Sequence, residues 1–224
     1  MKKAIAILLS LTMILVLAAC GNSASQTEQP STEDTSVESK ADTKSAESST
    51  DMENTDNQDV QDYKVLVAYF SATGTTKGVA VHIANGLNAD IYEIVPEEPY
   101  TDADLDYNDN NSRTTIEMND PNARPVISGS VENMEQYDTV FIGYPIWWGE
   151  APRIVSTFME SYDFSGKTIV PFCTSGGSGI GSSASNLERL TSGATWLDGR
   201  RLNGSDSQDT VMEWVNSLDL NLAE

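Results

Sequence analysis

Three short stretches hold the residues able to do chemistry. The first is "YFSATGTTKG" (69–78), where Ser71, Thr73, Thr75 and Thr76 surround Gly74 and the only positive charge is Lys77. The first N–H groups of a helix lack partners and carry partial positive charge, so such a turn binds a phosphate without basic side chains. The same residues also suit an ordinary Ser/Thr helix cap, and the stretch alone leaves both readings open. The Walker pattern GxxxxGK[ST] is absent. The second stretch is "YPIWWGEAP" (144–152), with adjacent tryptophans Trp147 and Trp148. Indole faces stack on flat rings, and they also fill cores, so one of the two has either role open. The third is "CTSGGSGIGSS" (173–183), whose glycines let backbone pass close beside a ligand.

These stretches need elements to hold them. "KVLVAYF" (64–70), "DTVFIGY" (138–144) and "KTIVPFC" (167–173) are apolar, β-branched and aromatic, and predict buried strands. "ADIYEIV" (89–95) and the short "ATWL" (194–197) predict two more. Helical spacing of Val79, Ala80, Ile83, Ala84 and Leu87 predicts a helix from Thr75. Further helices are predicted over 151–162, with Pro152 suited to the first turn, over 183–190 and over 209–218. Strands alternating with helices give an α/β fold with a parallel sheet covered on both faces. Each of the three stretches then leaves the carboxyl end of a strand, where ligands bind in open parallel sheets. Pro171 lacks a ladder donor, which predicts a bulge there or a shortened strand.

The chain carries 34 acidic and 13 basic residues, a net charge of −21. That excludes the cationic face that nucleic acid requires. An anionic ligand must be held by backbone N–H groups and helix ends. The single histidine, His82, rules out a multi-histidine metal site and reads as structural or exposed. Cys173 reads as a small buried residue near the site rather than a nucleophile. No acid–base pair stands out, so no catalytic residue and no metal ligand is assigned.

The two ends of the chain differ. Residues 1–19 have Lys2 and Lys3 before an apolar stretch too short to span a bilayer as a helix of about 20 residues. With "LAAC" at 17–20 they resemble a bacterial lipoprotein signal, which implies cleavage before Cys20 and lipid attachment to it. Residues 20–62 are polar and acidic, which predicts a disordered tether extended by its own charge. Residues 63–224 are then one domain with one core, outside the cytoplasm and held at the cell membrane by lipid alone.

"SATGTT", "GYPIWWG" and "PFCTSGGSG", in this order on a βα repeat, resemble the flavodoxin family, and more closely its branch with paired tryptophans. The resemblance covers about 64–220. It implies a flavodoxin-like three-layer sandwich with a five-stranded parallel sheet of order 2-1-3-4-5, and FMN as the cofactor. It implies that Ser71, Ala72, Thr73, Gly74, Thr75 and Thr76 wrap the FMN phosphate. Pro145, Ile146, Trp147, Trp148 and Gly149 would line the isoalloxazine, and Thr174, Ser175, Gly176, Gly177, Ser178 and Gly179 its other edge. Secretion and the extra residues 97–124 depart from short electron-carrier flavodoxins.

Three look-alikes read more plainly. In "DYNDNNSRTTIE" (106–117), Asp106, Asn108, Asn110 and Glu117 fall on calcium-loop positions, but Asn111 replaces the turn glycine, so the stretch reads as a solvated loop entering a helix. "GIGSSA" (179–184) with Asp198 mimics a dinucleotide fingerprint, but too little chain follows it. "TSGATW" (191–196) resembles a covalent FMN-attachment motif, yet Arg189 stands where an acid is expected, which leaves a turn entering the last strand.

Three functions fit this architecture: an electron carrier docking to a basic redox partner, an NAD(P)H-dependent oxidoreductase reducing a quinone, flavin or other small acceptor, and a non-catalytic scaffold. Acidic surroundings make each added electron costlier, since reduced flavin tends to carry negative charge. Redox titration of the FMN-loaded protein should place its final couple below that of free FMN; a value at or above free FMN contradicts this.

Overall fold

The computed structural model describes residues 63–218 and residue 220. The signal-like residues 1–19, Cys20 and the acidic stretch 20–62 lie outside the described residues. Among the described residues no helix is long and apolar enough to cross a membrane.

In chain order the elements are β1 (Val65–Tyr69), α1 (Thr75–Leu87), β2 (Asp90–Glu93), β3 (Val95–Pro96), α2 (Arg113–Asn119) and β4 (Ile127–Ser128). There follow β5 (Thr139–Pro145), α3 (Arg153–Glu160), β6 (Thr168–Thr174), α4 (Ser183–Glu188), β7 (Thr195–Trp196), β8 (Arg200–Leu202) and α5 (Gln208–Asn216). The main sheet runs β2-β1-β5-β6-β7, with β8 also on β6, and every pairing in it is parallel. With β7 and β8 as two halves of one last strand, this is the predicted order 2-1-3-4-5. From β1 the chain turns to one side for β2 and later returns to the other side for β5. The crevice at that reversal lies beyond Tyr69 and Pro145, between the first two loops.

Why these residues make strands follows from burial. All five residues of β1 are buried, as are six of seven in β5 and in β6. Alternate residues serve opposite faces. Val65, Val67 and Tyr69 pack with Val79 and Ile83 of α1 and with Val211, Trp214 and Val215 of α5. Leu66 and Ala68 pack with Ile154, Val155 and Phe158 of α3 and with Leu187 of α4. Two helices on each face complete three layers.

Two strand predictions need correction. The stretch 89–95 is not one strand: β2 ends at Glu93, and β3 pairs antiparallel with β4 in a separate ladder. Beyond 194–197, the last strand resumes as Arg200–Leu202. Pro171 explains the break. Within β6 it stays in unbroken register with β5, opposite Ile142. Toward the last strand, Ile169 pairs with Trp196 and Phe172 with Arg200, so two residues of β6 face three of its partner. The bulge predicted for Pro171 therefore falls on the neighbouring edge strand, where one extra residue is cheap. Gly199 in the bulge is pressed against Pro171 and Ile180, so that a Cβ there would collide with both.

One further glycine is demanded by close approach. The Phe172 ring lies over Gly143 in the neighbouring strand, where a Cβ would occupy the space of the ring. Phe172 is fully buried and has nowhere to move. Gly143→Ala should cost about 2 kcal/mol by overpacking. In thermal unfolding that is a midpoint lowered by roughly 4–8 °C; an unchanged midpoint would mean the ring is free to swing away.

Candidate functional site

At the first loop the side-chain cap that its sequence allows is not made, as it is not at α3 or α4. Gly74 occupies the cap position of α1 in a left-handed conformation, φ 83°, and no side chain caps the helix. The hydroxyls are otherwise placed: Thr73 and Thr75 lie 3.4 Å apart, and Thr76 is buried. By contrast, Ser112 caps α2 through the Thr115 N–H and Ser207 caps α5 through the Thr210 N–H. Thr75 to Lys77 therefore keep the unpaired N–H groups of a first helical turn, since the ladder begins at the Gly78 N–H on the Gly74 carbonyl. Lys77 is not free to supply a charge. It pairs with Glu93 at 2.9 Å, and Glu93 also accepts from the Tyr69 hydroxyl at 2.9 Å. Burial, then the hydrogen bond to Glu93 and its charge, push the Tyr69 phenol well above its usual range.

The second loop separates the two tryptophans. Trp147 and Glu150 exchange both N–H···O bonds at 2.9 Å, closing a four-residue turn. Its central residues, Trp148 at φ 49° and Gly149 at φ 82°, are both left-handed, the pattern of a type I′ turn. Such a backbone is unusual for a bulky side chain and marks a position held by its surroundings. The Trp147 ring meets Phe70 and Tyr100 edge to face, each at 5.5 Å, and so belongs to the packing of the core. Trp148 stays 48% exposed. The Glu150 carboxylate anchors the turn, accepting from Asn186 at 2.8 Å and from Ser182 at 3.1 Å.

The third loop begins at Thr174, which ties all three together. Its hydroxyl meets the Thr76 hydroxyl at 2.8 Å, both buried, and its carbonyl accepts the Ile146 N–H at 2.9 Å. Beyond it, the Ser175 hydroxyl donates to the Ser178 carbonyl and accepts the Gly177 N–H. Gly176, Gly177 and Gly179 are not left-handed, and a Cβ on any of them would meet nothing in the chain. Neither backbone nor internal packing requires glycine there, which fits a loop kept bare for a close-lying ligand. Cys173, directly before Thr174, is fully buried, and burial pushes its thiol up to about 11, so it stays protonated and unreactive.

Ser71, Ala72, Thr73 and Thr76 of the first loop line one cleft with Pro145, Trp147 and Trp148 of the second. Gly74, Thr75, Ile146 and Gly149 adjoin these residues in the chain without lining the cleft, and 175–179 connect to it through Thr174. Sequence reasoning missed the remaining wall, made by Leu105, Tyr107 and Thr114 of the extra segment. The signal available was an apolar pair, Leu105 and Tyr107, inside an acidic run. A stack fixes that segment: Arg113 sits 4.2 Å over the Tyr100 ring, and both bond Glu117. Glu117 is thus engaged away from Asp106, which accepts from its own chain at the Asn108 N–H. Among the described residues no group of acids, cysteines or histidine has the arrangement of a metal site. "GIGSSA" runs into the six-residue α4, and Thr191 of "TSGATW" accepts from the Trp196 indole at 2.9 Å at the entry to β7.

Thr174→Val keeps the shape and removes the hydroxyl, leaving that of Thr76 buried without this partner. It should destabilise by about 1–3 kcal/mol in urea unfolding, with Thr174→Ser near wild type. Equal stability of all three proteins would show that the contact carries no weight.

The flavodoxin family model matches residues 64–218. Two solved structures of candidate flavoproteins are similar to this chain. One, from Bacteroides eggerthii, is 48% identical over 70% of this chain and 99% of its own, with a TM-score of 0.67. The other, from Bacteroides uniformis, is 46% identical over 69% and 99%, also with a TM-score of 0.67. A Lactobacillus acidophilus flavoprotein in complex with FMN shares the fold, at 22% identity over 68% of this chain and 99% of its own and a TM-score of 0.52. No curated protein matches. With a parallel sheet of order 2-1-3-4-5 and three loops meeting past its strand ends, the chain belongs to the flavodoxin family.

Proposed function

We propose that this protein is a redox flavoprotein that holds FMN non-covalently and passes electrons at the outer face of the cell membrane, tethered through Cys20. The observation that carries the reading is the uncapped N-terminus of α1, fixed by the Thr76–Thr174 contact beside a cleft with an exposed indole. The residues fit the cofactor. The N–H groups after Gly74 and the hydroxyls of Ser71, Thr73 and Thr75 would hold the phosphate. Trp148 would stack on the ring, Trp147 would support it from the core, and the bare glycines of 176–179 would leave room at its far edge. FMN, when bound, supplies the electron-accepting ring; the chain supplies position, exclusion of water and electrostatic field.

A carrier is favoured over an oxidoreductase. None of the residues lining the cleft carries a charge. A nicotinamide dinucleotide would need further anion contacts that this lining lacks. The acidic surface suits a basic docking partner, in an association weakened by salt. The signal-like first 19 residues and Cys20 support the placement outside the cell membrane.

The purified protein, mixed with FMN, should show a bound-flavin band. Trp148→Ala should weaken FMN binding by about 1 kcal/mol, or roughly fivefold, while Trp147→Ala mainly lowers stability. The loaded protein should oxidise NADH or NADPH no faster than free FMN does. Absence of saturable binding would leave the scaffold reading, and steady-state turnover the oxidoreductase.

A further inference from the structure

We propose that Arg201 is a positioning residue that sets a fixed positive charge behind the third loop and so favours the reduced, negatively charged form of the ring held there. The inference rests on the FMN reading and goes beyond it. Arg201 lies on β8 in register with Cys173, one residue before Thr174. Its Nη2 donates to the Ser175 carbonyl at 3.3 Å and to the Asn203 Oδ1 at 2.9 Å. Its Nε is buried and has no hydrogen-bond partner. None of the ion pairs among the described residues includes it.

Arg153 shares the buried, unpartnered Nε and the lack of an ion pair, and what sets Arg201 apart is its bond to the third loop. Acids outnumber bases by 34 to 13, and Lys77, Arg113 and Arg124 each pair directly with a glutamate. A guanidinium with a buried, unpartnered nitrogen and no carboxylate bonded to it is costly by itself. Its surroundings fix it in place. Asn203 is held by Asp206, whose carboxylate accepts the Asn203 N–H at 2.7 Å and its side-chain amide at 3.1 Å. The next residue, Gly204, packs so closely on Thr75 that a Cβ would strike that side chain. The segment 201–206 therefore braces the third loop at Ser175 and the first loop at Thr75. The titratable and charged groups around Arg201 are the neutral Cys173 thiol, its chain neighbour Arg200, and Asp206, which accepts from Asn203 and also feels the Arg201 charge. The charge of Arg201 is felt at Cys173, where it opposes the effect of burial. It acts across the strand end, on the side from which the ring's edge would be lined. In the acidic field of the domain, it is a local term of opposite sign.

The test uses the full-length protein with FMN as the probe. Affinity for oxidised FMN and the midpoint potential of bound FMN together give the affinity for reduced FMN. R201Q should bind oxidised FMN within about threefold of wild type but reduced FMN about tenfold more weakly, a fall of about 30 mV for a two-electron couple. R201K keeps the charge and should stay close to the wild-type potential. N203D places a carboxylate on the guanidinium, giving up the side-chain amide bonds to Asp206 but keeping the Asn203 N–H bond, and should lower the potential in the same direction, which covers the case that R201Q does not fold. An unchanged potential in R201Q and N203D, an R201K as low as R201Q, or equal losses for both redox forms would overturn the proposal. Failure of the wild-type protein to bind FMN in either state would instead overturn the FMN reading, and this inference with it.

Discussion

The hydrogen bond between the Thr76 and Thr174 hydroxyls is the constraint on which the site depends. It joins residues 98 positions apart, at the start of α1 and at the end of β6, across the width of β5. Both groups are buried, so neither finds water as a substitute, and each holds the other in one rotamer. The Thr174 carbonyl meanwhile receives the Ile146 N–H. One residue thereby sets the positions of three loops that the sequence places far apart. Ser71 to Thr73 and Thr76 at the uncapped end of α1 and the turn carrying Trp148 then line one cleft, with the bare glycines joined to it through Thr174.

The electrostatics follow one rule. Acid dominates the chain, and the cations near the crevice are largely spent on it: Lys77 on Glu93, Arg113 on Glu117. An anionic group must rely on the backbone, as the net charge of −21 implied. The Lys77–Glu93 pair is substantially exposed and worth little in stability. Arg201, behind the third loop, is in none of these pairs.

The central strands and the first helix were legible because burial on both faces writes a continuous apolar run, as in Val65–Tyr69, and an amphipathic helix writes a 3.6-residue period. The second half of the last strand was not. Arg200–Leu202 is charged and half-exposed, and its offset from β7 is forced by Pro171 on a different strand, a relation no local window contains. The site was legible as motifs but not as geometry. Which tryptophan is free depends on backbone handedness at Trp148 and on the Phe70 and Tyr100 rings that claim Trp147. Leu105 and Tyr107 lie in a segment that reads as a solvated acidic loop, and only folding brings them to the crevice. That α1 has no side-chain cap follows from the helix starting after Gly74, which has no side chain, a boundary that a run of threonines does not fix.

The central claim is that the turn after β1 reads a phosphate through backbone N–H groups. The most direct measurement compares the affinity of the apoprotein for FMN and for riboflavin, which share the ring and differ in the phosphate. The account predicts FMN bound at least about 100-fold more tightly, nearly 3 kcal/mol carried by the turn. Equal affinities would contradict it, leaving the loops as a ring site and the uncapped helix without a role.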